Sequence, residues 1–367
     1  MTNDEWLQHA PLSQLDDYML HQTPDPIRVA ATTDPAFYER HWSVMHDHTG
    51  DLIVAIGGSF YPNLDAAEAF VIVNYRGDHR SVRAFRPLGV DRSNLEVGPI
   101  KPRIVEGLRH WEFRAEHVGQ RLELDLSFRD ATRQTYQAMY GSLNSQIPGR
   151  QRHVTAGFES FGHVTGWVRF DNQVIEWSSG QAIGTRDRHW GIGRHVGAPP
   201  ERGARAGWIG GNWVWLDDRA IWGRRVFYPL NDERSGAGKV VNVNRRLRFE
   251  EDTLIFVEGV LDIEFDDGTR RSLHYEKLGQ QTAFMRCGLY GGSPDGATYQ
   301  GFRTASLHVE SDQFDVRQPE VRRALSGLNE HHCRVTDGSR TSTGILQPLE
   351  PDAYQACLEG RPGWSFL

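Results

Sequence analysis

The sequence predicts an all-β chain, built as antiparallel barrels or strongly curved sheets with a few short helices. Three observations predict it. Several stretches alternate apolar and polar residues with the period of two that puts one strand face on a core and the other in water. Turn signals recur roughly every 8–12 residues, the spacing of sandwiches and barrels. The 38 glycines among 367 residues suit the tight turns and bulges of curved sheets.

Taken in order, the segment 34–42 (Asp34-Pro35-Ala36-Phe37-Tyr38-Glu39-Arg40-His41-Trp42) predicts a short helix, with Asp34 as N-cap and Pro35 in the first turn. The run 69–75 is rich in β-formers and closes on the hairpin signal Arg76-Gly77-Asp78. Residues 82–86 alternate. So do residues 121–128, where Leu122, Leu124, Leu126 and Phe128 share one face. Stretches 163–170 and 174–177 flank Asp171-Asn172, a second hairpin signal. The later half repeats this pattern, with strands over 208–215 and 220–228 around Asp217-Asp218, over 254–265, and over 271–278 after Asp266-Asp267-Gly268. Residues 318–327 and 351–358 predict short helices. The stretch 196–207, with Pro199-Pro200 and three glycines, predicts a linker between two halves, 1–195 and 196–367.

Composition excludes several classes. Hydrophobic residues make up 38% and charged residues 24%, which is globular rather than disordered. The net charge of −7 argues against a nucleic-acid partner, which requires a basic face. Three of the 41 basic residues are lysines, Lys101, Lys239 and Lys277, leaving few amines for Schiff-base chemistry. Cys287, Cys333 and Cys357 are odd in number and widely spaced, as in a reduced compartment rather than a disulfide framework. The first residues lack a basic stretch followed by an apolar one, and no apolar run reaches the ~18 residues of a membrane span. The expectation is therefore a soluble, cytoplasmic chain.

The densest chemistry is the run Gly184-Thr185-Arg186-Asp187-Arg188-His189-Trp190-Gly191-Ile192-Gly193-Arg194. An acid, an imidazole, an indole and three guanidiniums between glycines are hard to explain as packing, because a core refuses unpaired charge. One reading is a functional loop or strand end carrying a buried acid, Asp187, in a barrel mouth. The other is a structural Arg–Asp network pinning two halves together. Glu159, in Gly157-Phe158-Glu159-Ser160-Phe161-Gly162-His163, is the second candidate acid. The residues between it and Asp187 fit two strands and their turn, so the two acids face each other from neighbouring strands. Paired carboxylates push their pKa values apart and leave one protonated near neutrality. The alternative pairs Glu159 with Arg186 or Arg188. Trp167, Trp190, Trp208, Trp213 and Trp215 sit in or beside strand patterns and, with Arg186 and Arg188, predict the wall of an apolar pocket. Phosphate-binding glycine loops, HExxH and GxSxG are absent from the sequence. His41, His46 and His48, and His331-His332-Cys333, fit surface or core roles better than metal ligation. The expectation is no metal and no cofactor.

At these residues the chain resembles the carotenoid 1,2-hydratase (hydroxyneurosporene synthase) superfamily and its lipocalin-like relatives, which include Diels–Alderase-type enzymes. The run 186–191 is similar to that group's RD-x-x-WG signature, residues 158–166 to the strand before it, and residues 37–42 to the opening of related bacterial sequences. The resemblance implies a pair of calycin-like β-barrels with the ligand site near their junction, and cofactor-free chemistry on apolar substrates. Asp187 matches the essential Asp of the family's Tyr-x-Asp context. The Tyr is replaced here by Thr185. The implied activity is a cofactor-independent lyase that adds or removes water at a double bond of a bulky isoprenoid, polycyclic or aromatic molecule. Asp187, Glu159 and His189 would be its acid–base groups. Isomerase, cyclase or retro-aldol chemistry, and non-catalytic carriage of apolar ligands, are the alternatives. The expected partner is an apolar or aromatic small molecule, with homodimerisation left open.

Overall fold

The computed structural model describes residues 19–20, 24–134, 136–140, 154–193, 196–197, 211–216, 218–234, 238–288, 293–348 and 350–367. Its strands, in chain order, are β1 (Phe37–Asp47), β2 (Leu52–Tyr61), β3 (Ala66–Tyr75), β4 (Asp78–Arg86), β5 (Ile100–Glu106), β6 (His110–His117), β7 (Leu122–Asp130), β8 (Gln137–Tyr140), β9 (Val154–Phe170) and β10 (Gln173–Ile192). Then follow β11 (Gly211–Trp215), β12 (Ala220–Trp222), β13 (Arg225–Phe227), β14 (Gly238–Phe249), β15 (Phe256–Phe265), β16 (Arg270–Phe284), β17 (His308–Asp315), β18 (Asn329–Asp337), β19 (Arg340–Gln347) and β20 (Trp364–Phe366). The α-helices among the described residues are Pro319–Leu325 and Glu350–Leu358, where helices were expected.

The protein is all-β. One sheet is open and eleven-stranded, in the order β17-β4-β3-β2-β1-β10-β9-β7-β6-β5, with β8 on β9. The second closes into an eight-stranded antiparallel barrel, β13-β12-β11-β19-β18-β16-β15-β14, because β14 returns to pair with β13; β20 adds to β14 in parallel. Strand β17 comes from the later half of the chain yet pairs with β4 at the edge of the first sheet.

The open sheet is covered on both faces. On one face it curls over its own core, where Met45, Val54, Ile56 and Val71 meet Trp111, Phe113, Leu126 and Phe128. On the other, Trp42, Val44, Ala55, Phe70 and Phe161 meet the barrel's Trp213, Phe227 and Ile345. Strand β2 is accordingly buried at every position, so it reads as a continuous run, whereas β7 keeps the predicted alternation. The expected hairpins are present. Arg76 and Gly77 adopt φ of 50° and 89° between paired Tyr75 and Asp78, the left-handed pair a two-residue turn needs.

The segment 34–42 is not a helix. The Asp34 carboxylate does accept from the Ala36 N–H at 2.8 Å, but this closes a turn, after which β1 pairs with both β2 and β10. Its aromatic residues Phe37, Tyr38 and Trp42 suit a strand, and two ladders outweigh one cap.

Candidate active site

Of the two forms expected for the run 184–194, the strand end is the one found, in the open sheet and not in a barrel mouth; Arg194 falls outside the described residues. Residues 184–192 are the last part of β10, a 20-residue strand lying between β1 and β9 in the open sheet. Side chains along a strand alternate between faces, so the run is divided. Asp187 and His189 face the barrel, while Arg186, Arg188 and Trp190 face the opposite way.

On the barrel side, the register sets Trp42 and Glu159 on either side of Asp187, so the two acids do face each other from neighbouring strands. Asp187 and Glu159 are 3% and 1% exposed. His189 joins them. Its Nδ1 lies 3.5 Å from Asp187 Oδ2 and its Nε2 3.2 Å from Glu159 Oε1. Arg40 Nη2 donates to His189 Nδ1 at 2.8 Å and lies 3.9 Å from Asp187. A guanidinium only donates, so Nδ1 is the bare nitrogen and Nε2 carries the proton toward Glu159. Burial, then the charges of Arg40 and Arg188, hold the His189 pKa well below its ordinary value, so the ring is neutral. Gly157, opposite His189, makes the space: a Cβ there would stand 2.1 Å from His189 Cδ2.

The two carboxyls differ. Glu159 is ion-paired with Arg225 of the barrel strand β13, whose guanidinium burial lowers to about 10. Asp187 keeps Oδ1 without a hydrogen-bond partner among the described residues. Burial raises its pKa to about 6 against the opposing pull of Arg40, Arg188 and Arg186. A third carboxyl, Glu330 of β18, is fully buried and bonded to Gln347. Burial first, and also the Asp187 charge, push its pKa well up. Indoles pack beside these groups. The Trp42 ring lies 5.8 Å from Trp213 and 6.2 Å from Trp222, and the Arg225 guanidinium 5.8 Å from Trp222.

The other predicted residues separate. Arg186 is buried against Asp130 through bonds of 2.9 and 2.5 Å, among Trp111, Phe128 and Phe158, so the Arg–Asp network exists but on the far face. Arg188 binds Glu39 at 3.1 Å. Trp190 lies against Phe158 and Tyr136. Trp215 lies between the sheets beside Phe161 and His163, two residues from Trp213 as expected. Trp167 stacks with Arg169 at the other end of β9, away from Asp187. Trp208, and the linker beyond Gly197, fall outside the described residues. Arg40, Arg225, Trp222 and Glu330 were not predicted for the site. A strand reading of 37–42 would have found Arg40 two residues from Trp42; nothing local marks Arg225 or Glu330.

His41 faces away from His46. His46 lies 4.3 Å from the His332 ring, and His331 turns to Glu350. Among the described residues no group of three or more His, Cys, Asp or Glu could hold a metal. Among the described residues no helix is long and apolar enough to cross a membrane.

A family model described as a family of unknown function (DUF8625) matches residues 12–350. No curated protein matches the sequence. Among solved structures, the chain is similar to kievitone hydratase from Nectria haematococca, at 9% identity and TM-score 0.41, covering 85% of this chain and 88% of that one. It is also similar to CghA, at 11% identity and TM-score 0.42, covering 88% and 96%. These likenesses carry no activity to this chain.

Proposed function

This chain belongs to the DUF8625 family of unknown function, and from that premise we propose that it is a cofactor-independent lyase acting by acid–base chemistry at Asp187. The observation that carries the reading is a buried carboxyl with one free oxygen and a pKa raised to about 6. It stands beside a neutral imidazole of fixed tautomer, with the packed indoles of Trp42, Trp213 and Trp222 nearby. A general acid works best when its pKa lies near the working pH. Protonated Asp187 would deliver its proton to a double-bond carbon, and the faces of Trp42 and Trp222 would stabilise the cation that develops. Water would attack that cation and return its proton to the Asp187 carboxylate, so water is added and the acid restored. The reverse order is dehydration. Arg40, which donates to His189 and lies 3.9 Å from Asp187, sets the two side by side, while Glu159, fixed by Arg225, holds His189.

The test is turnover of a panel of isoprenoid, polycyclic and aromatic alkenes in ¹⁸O-labelled water. Incorporation of ¹⁸O by the wild type and not by Asp187→Asn supports a hydro-lyase. Product formed without ¹⁸O, but still lost in Asp187→Asn, moves the reading to isomerisation or cyclisation by the same acid. A folded Asp187→Asn variant with normal turnover removes Asp187 from the chemistry.

A further inference from the structure

We propose that the curl of the open sheet holds a second ligand site, separate from Asp187, for an apolar small molecule bearing one anionic group, of the alkyl- or aryl-carboxylate class. A cavity of ≈830 Å³ lies there, bounded by the segment 25–31, the starts of β1 and β5, the end of β2, and β6. Its volume is that of small-molecule pockets, about 300–1,000 Å³. It lies on the face of the sheet away from the barrel, and Asp187 does not line it.

The apolar part of the ligand is specified by Ile27, Val29, Phe37, Phe60, Ile104 and Trp111. The floor adds His41, whose ring sits 5.2 Å from Trp111 and 6.2 Å from Phe113. The His41 side chain is neutral, its pKa pressed down to about 3 by burial and then by the charges of Arg188 and Arg186. Its Nδ1 has no hydrogen-bond partner among the described residues, which leaves a polar atom for the ligand or a water. Gly58, opposite His41, leaves room for the ring, since a Cβ there would stand 3.0 Å from its Nε2.

The anionic part is specified by charge. Arg92 and Arg188 both hold Glu39, one on each carboxylate oxygen, so two guanidiniums share a single negative charge. Arg92 also donates to the Ile27 carbonyl, fixing the covering segment. Around the wall Arg92, Lys101, Arg103, Arg114 and Arg188 stand against Asp25, Glu39, Glu96 and Glu112, while Arg40 turns its guanidinium to His189 and Asp187. In a chain of net charge −7 the wall is not net acidic, and the two guanidiniums on the one Glu39 carboxylate are what favour an anion there.

The proposal goes beyond the Asp187 reading and stands if that reading fails. The test is titration with 1-anilinonaphthalene-8-sulfonate, an aromatic anion, followed by displacement with dodecanoate and with uncharged dodecanol. Saturable binding is expected, with dodecanoate displacing the probe about tenfold more effectively than dodecanol. Ala30→Trp, which fills the cavity, and Ile104→Glu, which adds a negative charge at its rim, should each weaken probe binding about tenfold. Asp187→Asn should bind as wild type. Ile104 is 45% exposed, so its variant decides the matter alone if Ala30→Trp unfolds. Equal displacement by dodecanol, or wild-type binding by Ile104→Glu, overturns the proposal. So does loss of binding in Asp187→Asn.

Discussion

Two adjacent side chains, Arg186 and Asp187, show how much one strand position decides. Arg186 completes a buried bidentate pair with Asp130, and removing one partner strands a charge in the core. Arg186→Ala should therefore cost about 3–5 kcal/mol of stability, read by urea denaturation. Asp187 is the opposite case, because burial raises its pKa from 3.8 to about 6. Its favourable contribution to stability is complete below the unfolded value and is lost as pH rises through about 6. The ionised carboxylate then costs about 3 kcal/mol at neutral pH. Asp187→Asn keeps the shape without the charge, so it should be at least as stable as wild type near neutrality and gain nothing near pH 4, by denaturation at both pH values. Its turnover should nevertheless fall about 10²–10⁴-fold, the usual size of a lost acid–base group. Wild-type turnover should decline as pH rises through about 6, as the acid form disappears.

At the scale of elements, the site depends on how β9, β10 and β1 lie together. Gly157 is the tight point. A Cβ there would meet His189 Cδ2 at 2.1 Å and the Arg188 carbonyl oxygen at 2.2 Å, and the second of these is backbone that cannot swing away. Gly157→Ala should cost about 1–3 kcal/mol, as overpacking does, and displace His189. A melting temperature and turnover equal to wild type would exclude this account. Alternating strands such as β7 were legible in the sequence because one face is apolar and the other polar. Strand β1 was not: it is buried on both faces, and its Asp-Pro opening imitates a helix cap. That Glu159 and Asp187 lie on neighbouring strands was legible from the hairpin at Asp171-Asn172, but their direct pairing was not: the hairpin's own register would set Asp187 opposite Ala156, and a register shift between Trp177 and Ala182 brings Glu159 there instead. The division of the run 184–194 between two faces was not, because it follows only once the run is known to be strand.

Over the whole molecule, the first sheet is completed from the far end of the chain. Strand β17 covers β4, and Arg83 of β4 bonds Asp312 at 2.6 Å and Glu310 at 3.1 Å. A fragment ending at residue 195 lacks β17 and exposes β4 as an unpaired edge, with buried His79, Ser81 and Arg83 uncovered. Such a fragment should aggregate or melt without cooperativity, whereas the full chain should melt cooperatively, as circular dichroism and gel filtration would show. A fragment 1–195 that melts cooperatively as a monomer would instead make the division at 195–196 a boundary between separable units.

Local chemistry in the sequence determined the all-β class, most hairpins, the short helices Pro319–Leu325 and Glu350–Leu358, and the prominence of Asp187 and Glu159. These follow from side-chain alternation, turn residues and charge density, which act over a few neighbours. Only the tertiary structure decided that β14 closes one barrel while the other sheet stays open, that β17 crosses over, and that Arg40 and Arg225 meet the acids from different strands. It also decided that a cavity of ≈830 Å³ lies on the face away from Asp187. Each of these depends on residues far apart in the chain, whose contacts are set by packing two sheets against each other and leave no local periodic signature.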